Sequence, residues 1–484
     1  MADHSPFLHI VRVAVLLVTL ATTGAACAVH APPPAVPPAV DSSAAANIDA
    51  LVQRGCFRCL EQAQQEALAL GDHVRIFETA LLLVARAKEL GLPFSTWLHQ
   101  ALAATPAGPD WSDYLAIVQA LRTDPLADDR DIVLLDTLKN RATAQTVAAW
   151  RTDLAAGSGS PLLRTYLELS LVCQYIVEDR NVTIAAAVQR FHDVPLIEYR
   201  AGACNAAQAP HLQEAREAVP EFADVDFFLG RYAVEIPQQP DQEEGLRRFN
   251  AARAAFLQSP VILASLGELH RDREEWTEAL EAYDAALALV PTHRDALLGR
   301  LVTLSHLARY DEAMAAATRI IELGSWFTGE AYYWRAWNEY HLSRIDDARS
   351  DTDRAKGLMH NSSVLVLSGM IEWHERRLEE SEAELQDALT LDAGQCEAAF
   401  LLGTVRAERR QWAPGAAAFE LAQRCYDLSV TLRRETIARI TAGPGTGEGK
   451  ARLIARQERA MTEEAQHRDE AAENAAQLQK RAGG

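Results

Sequence analysis

Small residues recur at a fixed spacing through the second half of this chain, and this period constrains the fold more than any other feature of the sequence. They stand 34 residues apart, give or take one, at Gly245, Ala279, Ala313, Ala348, Ser381 and Gly415. Positions seven residues later and twelve residues earlier keep the same period. A period of roughly 20–50 residues indicates an array in which each structural unit stacks on the next.

Each unit is predicted to be a pair of antiparallel helices. Small side chains let two helices approach closely where they cross, and a larger residue four positions later, such as Tyr283 or Phe419, fills the adjacent space. One helical hairpin cannot bury its apolar faces alone, so neighbouring hairpins must stack. A composition with 49% hydrophobic but only 7% aromatic residues agrees with packing between Ala- and Leu-rich helices.

This pattern resembles the tetratricopeptide repeat. The Leu-Gly pair of the family's first helix is present at Leu266-Gly267 and at Leu402-Gly403, and the Ala-x3-aromatic-x2-Ala pattern of its second helix begins at Ala279. The resemblance covers residues 223–429 as six units. It implies an all-α, right-handed superhelical solenoid of antiparallel helix pairs.

The regions on either side of the array lack its period. Residues 47–222 are predicted to be helical, and we interpret them as degenerate repeats that continue the solenoid, with a separate α-helical domain as the alternative. Residues 430–484 are predicted to form a helix, a break at Gly443–Gly449 and a highly charged helical tail. The tail is either a solvated helix or a helix that binds a partner.

The N-terminus has the features of an export signal. Val13 to Thr22 is an apolar run too short to anchor stably in a bilayer, and small residues lead to Cys27. Residues 1–27 resemble a bacterial lipoprotein signal, which implies lipidation of Cys27 and a place at the outer membrane. Ordinary cleavage within Ala26-Cys27-Ala28 is the alternative. Residues 28–46, rich in Pro and Ala, are predicted to be an extended tether.

Apart from Cys27, the chain has six cysteines, and an even number of cysteines in an exported chain indicates disulfides. Cys56 and Cys59 form a CxxC for which we predict a structural bond, because the haem-type histidine, a second CxxC for zinc and the βαβ context of a redox site are all missing. Within the last unit, antiparallel helices bring Cys396 and Cys425 to the same end, so we predict that they pair. The same argument predicts a bond between Cys173 and Cys204, although the turn between these two residues is not clearly centred.

The sequence contains no recognisable catalytic, metal-binding or cofactor-binding motif. No HExxH, GxSxG or phosphate-binding GK[ST] sequence occurs. The formal net charge of −20 and the lack of a basic stripe argue against a nucleic-acid partner. This acidity keeps an exported protein soluble or, alternatively, favours a basic partner. We therefore predict that the chain is not an enzyme.

The resemblance also implies a binding surface. In tetratricopeptide proteins the second, fifth, ninth, twelfth and thirteenth positions of each first helix line the concave face. In the later units these positions concentrate aromatic residues, and the predicted partner-binding set is Tyr333, Trp337, Tyr340, His341, Met370, Trp373, His374 and Phe400. The alternative is that Tyr333 and Trp337 pack between units. In an earlier unit the same positions hold ordinary residues: Ala264, Glu268, Arg271 and Asp272.

Two functions remain compatible with the sequence. The first is a periplasmic or outer-membrane scaffold that holds a peptide or partner protein in the concave face. The second is an accessory protein that binds glycan or cell wall and supports a separate envelope enzyme.

Overall fold

The computed structural model describes residues 42–108, 110–121, 145–175, 177–235, 241–324, 327–443 and 447–483. The predicted signal peptide, Cys27 and residues 28–41 of the predicted tether lie outside these ranges. Residues 42–46 were assigned to the tether, and this assignment is wrong. They form the first turn of a helix, because the last proline of the tether is Pro38 and only Ser and Ala follow Asp41.

The N-terminal half is helical, with a short 3-10 turn at Ala206–Gln208. Its helices are α1 (Ser42–Arg54), α2 (Phe57–Leu70), α3 (His73–Glu89), α4 (Ser95–Ala104), α5 (Asp110–Ala120), α6 (145–156), α7 (Pro161–Gln174), α8 (Arg180–Arg190), α9 (Pro195–Gly202) and α10 (Ala209–Ala218). Asp72 caps α3 by accepting hydrogen bonds from the backbone of Val74 and Arg75. Nearly every residue of α3 from Ile76 onward is buried, so this helix forms the centre of the half.

The second half is a series of antiparallel helical hairpins. Their helices are α11 (Asp224–Glu235), α12 (Gln242–Ala255), α13 (Pro260–Asp272), α14 (Trp276–Leu289), α15 (Arg294–His306), α16 (Tyr310–Leu323), α17 (Thr328–His341), α18 (Ile345–Leu358), α19 (Ser362–His374), α20 (Leu378–Leu391), α21 (Cys396–Glu408) and α22 (Trp412–Ala442). No strand occurs in the described ranges. The predicted all-α array of helix pairs is confirmed.

The small residues act as predicted at the helix crossings. A β-carbon added to Gly299 would lie 2.2 Å from Cζ of Tyr283, and one added to Gly267 would lie 2.7 Å from Cε1 of the same ring. Tyr283 of one hairpin therefore fits between two glycines that belong to successive first helices. Gly403 leaves room for Phe419 in the same way.

The turns between paired helices repeat as closely as the helices do. In five hairpins, one non-glycine residue of the turn adopts a positive φ between 55° and 63°. These residues occupy equivalent places: Glu274, Ala308, Ser343, Arg376 and Arg410. The left-handed conformation reverses the chain within three residues, at some cost for residues with a β-carbon.

A buried ion pair joins the two halves. Arg86 of α3 is fully buried, forms an ion pair with Asp224 at the start of α11, and donates a 2.9 Å hydrogen bond to the carbonyl of Gly55. Its guanidinium lies 3.5 Å from the ring centroid of Tyr199. Burial raises the pKa of Asp224, and the charge of Arg86 opposes that rise. One continuous apolar core extends from Ile48 to Leu269, so the halves are packed together.

Three disulfides lie in the described part of the chain. Their Cα–Cα distances are 5.0 Å for Cys56–Cys59, 5.0 Å for Cys173–Cys204 and 5.3 Å for Cys396–Cys425. The last bond joins the start of α21 to the middle of α22 and closes the end of the last hairpin.

The charged C-terminal tail is a packed helix, α23 (Glu448–Ala482). It returns antiparallel to α22, and Ala471, Ala475 and Leu478 are buried against Phe419 and Ala422. A fully solvated tail, one of the two sequence interpretations, is therefore wrong, because these apolar residues recur on one side of the helix. None of the described helices is both long and apolar enough to cross a membrane.

Candidate functional site

The first helices of the hairpins line one surface of the array. Successive first helices contact one another, from α11 with α13 to α19 with α21. They therefore lie on the inner side of a curved array, and we call this inner surface the groove.

Three of the predicted aromatic residues form a half-buried group on α17. Tyr333, Trp337 and Tyr340 pack at their base against a core that includes Leu367 and Ile371 of the next hairpin, and they keep part of each ring exposed. Packing between hairpins and lining of the groove were alternatives in the sequence. The structure shows the packing between hairpins, and it leaves part of each ring exposed, as lining of the groove would require.

The predicted histidines stand at the exposed end of this group. His341 and His374 are both exposed. The ring of His341 meets Trp337 edge-on at 4.8 Å, and His374 meets Tyr340 at 6.2 Å. The structure therefore brings these four side chains together.

Met370 and Trp373 continue the surface on α19. Both are half-buried against a core that includes Leu402. The indole nitrogen of Trp373 donates a 3.1 Å hydrogen bond to Glu408, which also pairs with Arg376 at 2.6 Å. The indole N–H of Trp373 is thus already held by the protein, while part of the ring stays exposed.

Phe400 is half-buried at the end of the array. Its ring lies 5.2 Å from Phe419 and 6.3 Å from His467 of α23, and His467 stacks on Tyr426 at 5.6 Å. Phe400 therefore lies beside α23, because α23 folds back over the last hairpin.

Further aromatic pairs, which were not predicted from the sequence, lie at the edge of the groove. Trp276 stacks on His306 at 4.3 Å, and Tyr310 stacks on His341 at 5.4 Å. Each pair joins the start of one second helix to the end of the next first helix. Desolvation by the surrounding protein lowers the pKa of His306 and also that of His341, whose ring still reaches solvent, and this favours the neutral rings. The 34-residue spacing between Trp276 and Tyr310 was a signal in the sequence.

The groove also contains a cavity of about 490 Å³ on the first three hairpins, upstream of the predicted aromatic site. Phe227, Phe249 and Tyr283 form part of its apolar wall. Charged residues surround them: Arg231, Glu268, Arg271, Asp272, Arg294 and Asp295. Ala264, Glu268, Arg271 and Asp272, which the sequence does not mark as a binding site, also line this cavity. Their helix positions pointed to this surface, but their chemistry did not single them out.

His293 lies at the wall of this cavity and is 1% exposed. Its Nδ1 accepts a 3.2 Å hydrogen bond from the backbone N–H of Ala296 and so caps α15, while its Nε2 has no hydrogen-bond partner among the residues that the structure describes. Burial lowers the pKa of His293 to about 4. The imidazole is therefore neutral at physiological pH.

The downstream part of the groove has an acidic character. Glu397 is accessible to solvent, but the surrounding protein raises its pKa by desolvation, and His467 opposes this rise. Burial raises the pKa values of Tyr333 and Tyr340, and the charge of Glu397 raises them further. Burial, together with the charges of Glu397, Glu464 and Glu470, raises the pKa of Tyr426 to about 12. A carboxylate near several aromatic rings suits a cationic group of a partner.

One cluster of titratable side chains lies outside the groove. Nδ1 of His211 is 2.7 Å from Glu198 and 3.3 Å from Glu214, and these are the side chains in the described ranges that come close enough to share a metal ion. Hydrogen bonding within the cluster accounts for the short distances.

Comparisons with known proteins give a similarity of fold. No protein-family model and no curated protein matches the chain. Solved structures that match include YrrB, described as a TPR protein with an unusual peptide-binding site, at 20% identity over 37% of this chain and 91% of that one, with a TM-score of 0.31. A tetratricopeptide repeat protein from Parabacteroides merdae matches at 14% identity over 56% of this chain and 97% of that one, with a TM-score of 0.34. PilF from Pseudomonas aeruginosa matches at 16% identity over 48% and 100%, with a TM-score of 0.37.

These matches have low identities and low TM-scores, and no function is transferred from them. The repeat geometry of the chain itself is the basis for assigning its fold. Hairpins at a 34-residue period, small residues at the crossings and equivalent left-handed turns give the array a tetratricopeptide-type fold.

Proposed function

We propose that this protein is a non-catalytic scaffold that binds a peptide or a partner protein in its groove. The observation that carries the proposal is the concentration of aromatic rings on one inner surface, from Trp276 to Trp373, in a chain with only 7% aromatic residues. Large aromatic side chains in a concave surface provide most of the binding energy at many interfaces.

The chemistry of the groove indicates what kind of partner it fits. Half-buried rings such as Trp337 offer apolar area, and Glu397 offers a negative charge in a partly desolvated position. A segment with apolar side chains and at least one Lys or Arg complements both features. The formal net charge of −20 would also attract such a segment over longer distances.

We also propose that the scaffold works in the bacterial cell envelope. The apolar run before Cys27 supports export and lipidation, and the three disulfides suit an oxidising compartment. Changing Cys27 to Ser should move the protein from the membrane fraction to the soluble fraction, because an acylated terminus with two or more chains holds firmly to a bilayer. If the variant fractionates like the wild type, the lipid anchor is ruled out.

A site-directed cross-link tests the groove directly. A photoreactive residue at exposed His341 should capture a discrete partner in the intact envelope, whereas one at Asp353 on the outer helix α18 should not. Trp337→Ala should abolish at least nine-tenths of the capture at His341, since loss of an interface anchor costs about 2 kcal/mol or more.

Tyr332→Ala is the matched control, because Tyr332 lies on the same helix but packs against Arg335 and Arg354 instead of the groove core. Equal capture by the two alanine variants would contradict the proposal. A cross-link to peptidoglycan in place of protein would support the accessory function in glycan or cell-wall binding instead.

A further inference from the structure

The last two helices connect the end of the array to its beginning. Helix α22 extends from the last hairpin to Ala442, and α23 starts at Glu448 and returns to that hairpin. At the far end of this pair, the first turns of α23 contact α12 of the first hairpin. We call the α22–α23 pair the strap, residues 448–459 its tip, and residues 471–482 its base.

The base of the strap is held by apolar packing. Leu478 and Ala475 are buried, and a β-carbon added to Gly415 would lie 2.9 Å from Cδ1 of Leu478. Ala471 is buried against Ala399 and Ala422 in the same cluster. The base therefore covers the apolar face that a further hairpin would otherwise cover.

The tip is held by charges instead. Arg452 pairs with Glu275 at 2.8 Å, while Arg456 and Arg459 pair with Glu274 at 3.0 and 2.9 Å. The three arginines stand at i, i+4 and i+7 and so share one face of α23. Gly449 lies tightly against Glu243, since a β-carbon there would be 1.9 Å from a carboxylate oxygen.

The acidic groups that receive the tip form one surface, which we call the ledge: Glu243, Glu274 and Glu275. Glu275 accepts hydrogen bonds from Arg273 and His270, and these outweigh the effect of burial and lower its pKa. Arg273 also pairs with Glu243 at 2.7 Å, so two of the three carboxylates of the ledge are held in place by one neighbouring arginine. The ledge adjoins Trp276, the first member of the aromatic pairs at the groove edge.

We propose that the ledge is a docking site for a basic helix, that the tip of this chain's own strap occupies it, and that this contact closes the groove. This inference rests on the proposed function only in taking the groove as the binding surface. The strap extends from Phe400 in the last hairpin to Glu274 in the second, along the length of chain that holds the aromatic residues. A partner helix with cations at i, i+4 and i+7 would take the place of the tip and open the groove.

The two ends of the strap differ in a way that makes such an exchange possible. The side chains of Arg452 and Arg459 are 56% and 64% exposed, so water and salt screen their ion pairs. The apolar contacts of the base are not weakened by salt. The tip therefore releases while the base stays packed.

A distance measurement tests the closure without any partner. Spin labels on non-native side chains at exposed Ala451 and Glu278 leave the native disulfides intact. The wild type should give one short distance, and Arg456→Glu with Arg459→Glu should shift at least half of the population to a longer distance. Raising the salt to 1 M should move the wild type in the same direction. Arg434→Glu with Lys480→Glu changes the net charge equally, and in the described ranges neither residue forms an ion pair with the ledge.

A charge reversal provides the rescue. Glu274→Arg should restore the short distance in the Arg456→Glu, Arg459→Glu background. Arginine fits this turn position, because Arg376 and Arg410 adopt the same positive φ in later hairpins. An unchanged distance in the arginine variant, or an equal shift in the control variant, would overturn the proposal.

A peptide with the sequence of residues 448–470 tests the docking site in trans. It should bind Arg456→Glu, Arg459→Glu about tenfold more tightly than the wild type, whose ledge is occupied, and this factor corresponds to about 1.4 kcal/mol. The peptide should lose this tenfold gain in affinity when Glu274→Arg is added to the double variant. Equal binding to all three proteins would show that the ledge is no docking site. Partner capture at His341 remains a separate readout, so failure of the groove proposal and failure of the strap proposal are distinguishable.

Discussion

His293 should make the stability of the array depend on pH, and His293→Asn should remove that dependence. The imidazole is buried, and its Nδ1 is the acceptor that caps α15. Protonation of Nδ1 would place a charge in the core and break the capping hydrogen bond. Asparagine keeps a capping acceptor but does not titrate in this range.

The magnitude follows from the difference between the pKa values of the folded and unfolded states. The unfolded chain takes up this proton near pH 6.5, whereas the folded pKa is about 4. The folded state binds fewer protons between these values, so its stability is fully present above pH 6.5 and is lost as the pH falls towards 4. Linkage gives a loss of about 1.4 kcal/mol at pH 5.5 and about 2.5 kcal/mol at pH 4.5, relative to pH 7.5.

Urea unfolding at pH 7.5, 5.5 and 4.5 measures this effect. The wild type and His293→Asn should have similar midpoints at pH 7.5, and the variant should become the more stable protein at acidic pH by the amounts given above. His360→Asn, which removes an exposed histidine, should follow the wild type. If wild type and His293→Asn lose stability in parallel down to pH 4.5, the argument from burial and capping is refuted.

Three further sets of substitutions test the buried ion pair, the last disulfide and the left-handed turns. Arg86→Met should reduce the free energy of unfolding by about 3–5 kcal/mol, because it leaves Asp224 buried without its partner, and adding Asp224→Asn should recover part of the loss in urea unfolding. Replacing both Cys396 and Cys425 by Ala should cost about 3 kcal/mol, and a melting curve identical to that of the oxidised wild type would contradict this. Ala308→Gly should raise the melting temperature and add about 0.5–1 kcal/mol, because glycine tolerates the positive φ of this turn, whereas Ala308→Val should lower it.

Local pattern was enough to predict the hairpins. Tyr283 and the glycines around it lie within one or two repeat lengths of one another. The spacing of small and large residues in the sequence therefore predicts where the helices cross. The pairing of Cys396 with Cys425 was predictable for the same reason, since both belong to one hairpin of known topology. The position of the α17 aromatic residues within their repeat predicts that they face the groove, because helix position within a repeat fixes the face.

Features that depend on distant parts of the chain could not be predicted in this way. The cavity at Glu268 and Arg271 forms where three hairpins meet, and each of these residues looks ordinary in its own helix. Arg86 and Asp224 are 138 residues apart, and nothing in either segment indicates the partner.

The sequence by itself determined that the chain forms stacked helix pairs and which face of each pair is apolar, because these depend on contacts within one repeat period. Only the tertiary structure decided that the array closes on itself. Arg452 and Glu275 are 177 residues apart, and they meet because the curvature summed over the hairpins and the length of α22 bring the tip of α23 to the ledge. A row of charged residues on a helix does not indicate which distant residues it will contact. The contact between α23 and the ledge therefore became visible only from the position of α23 in the fold.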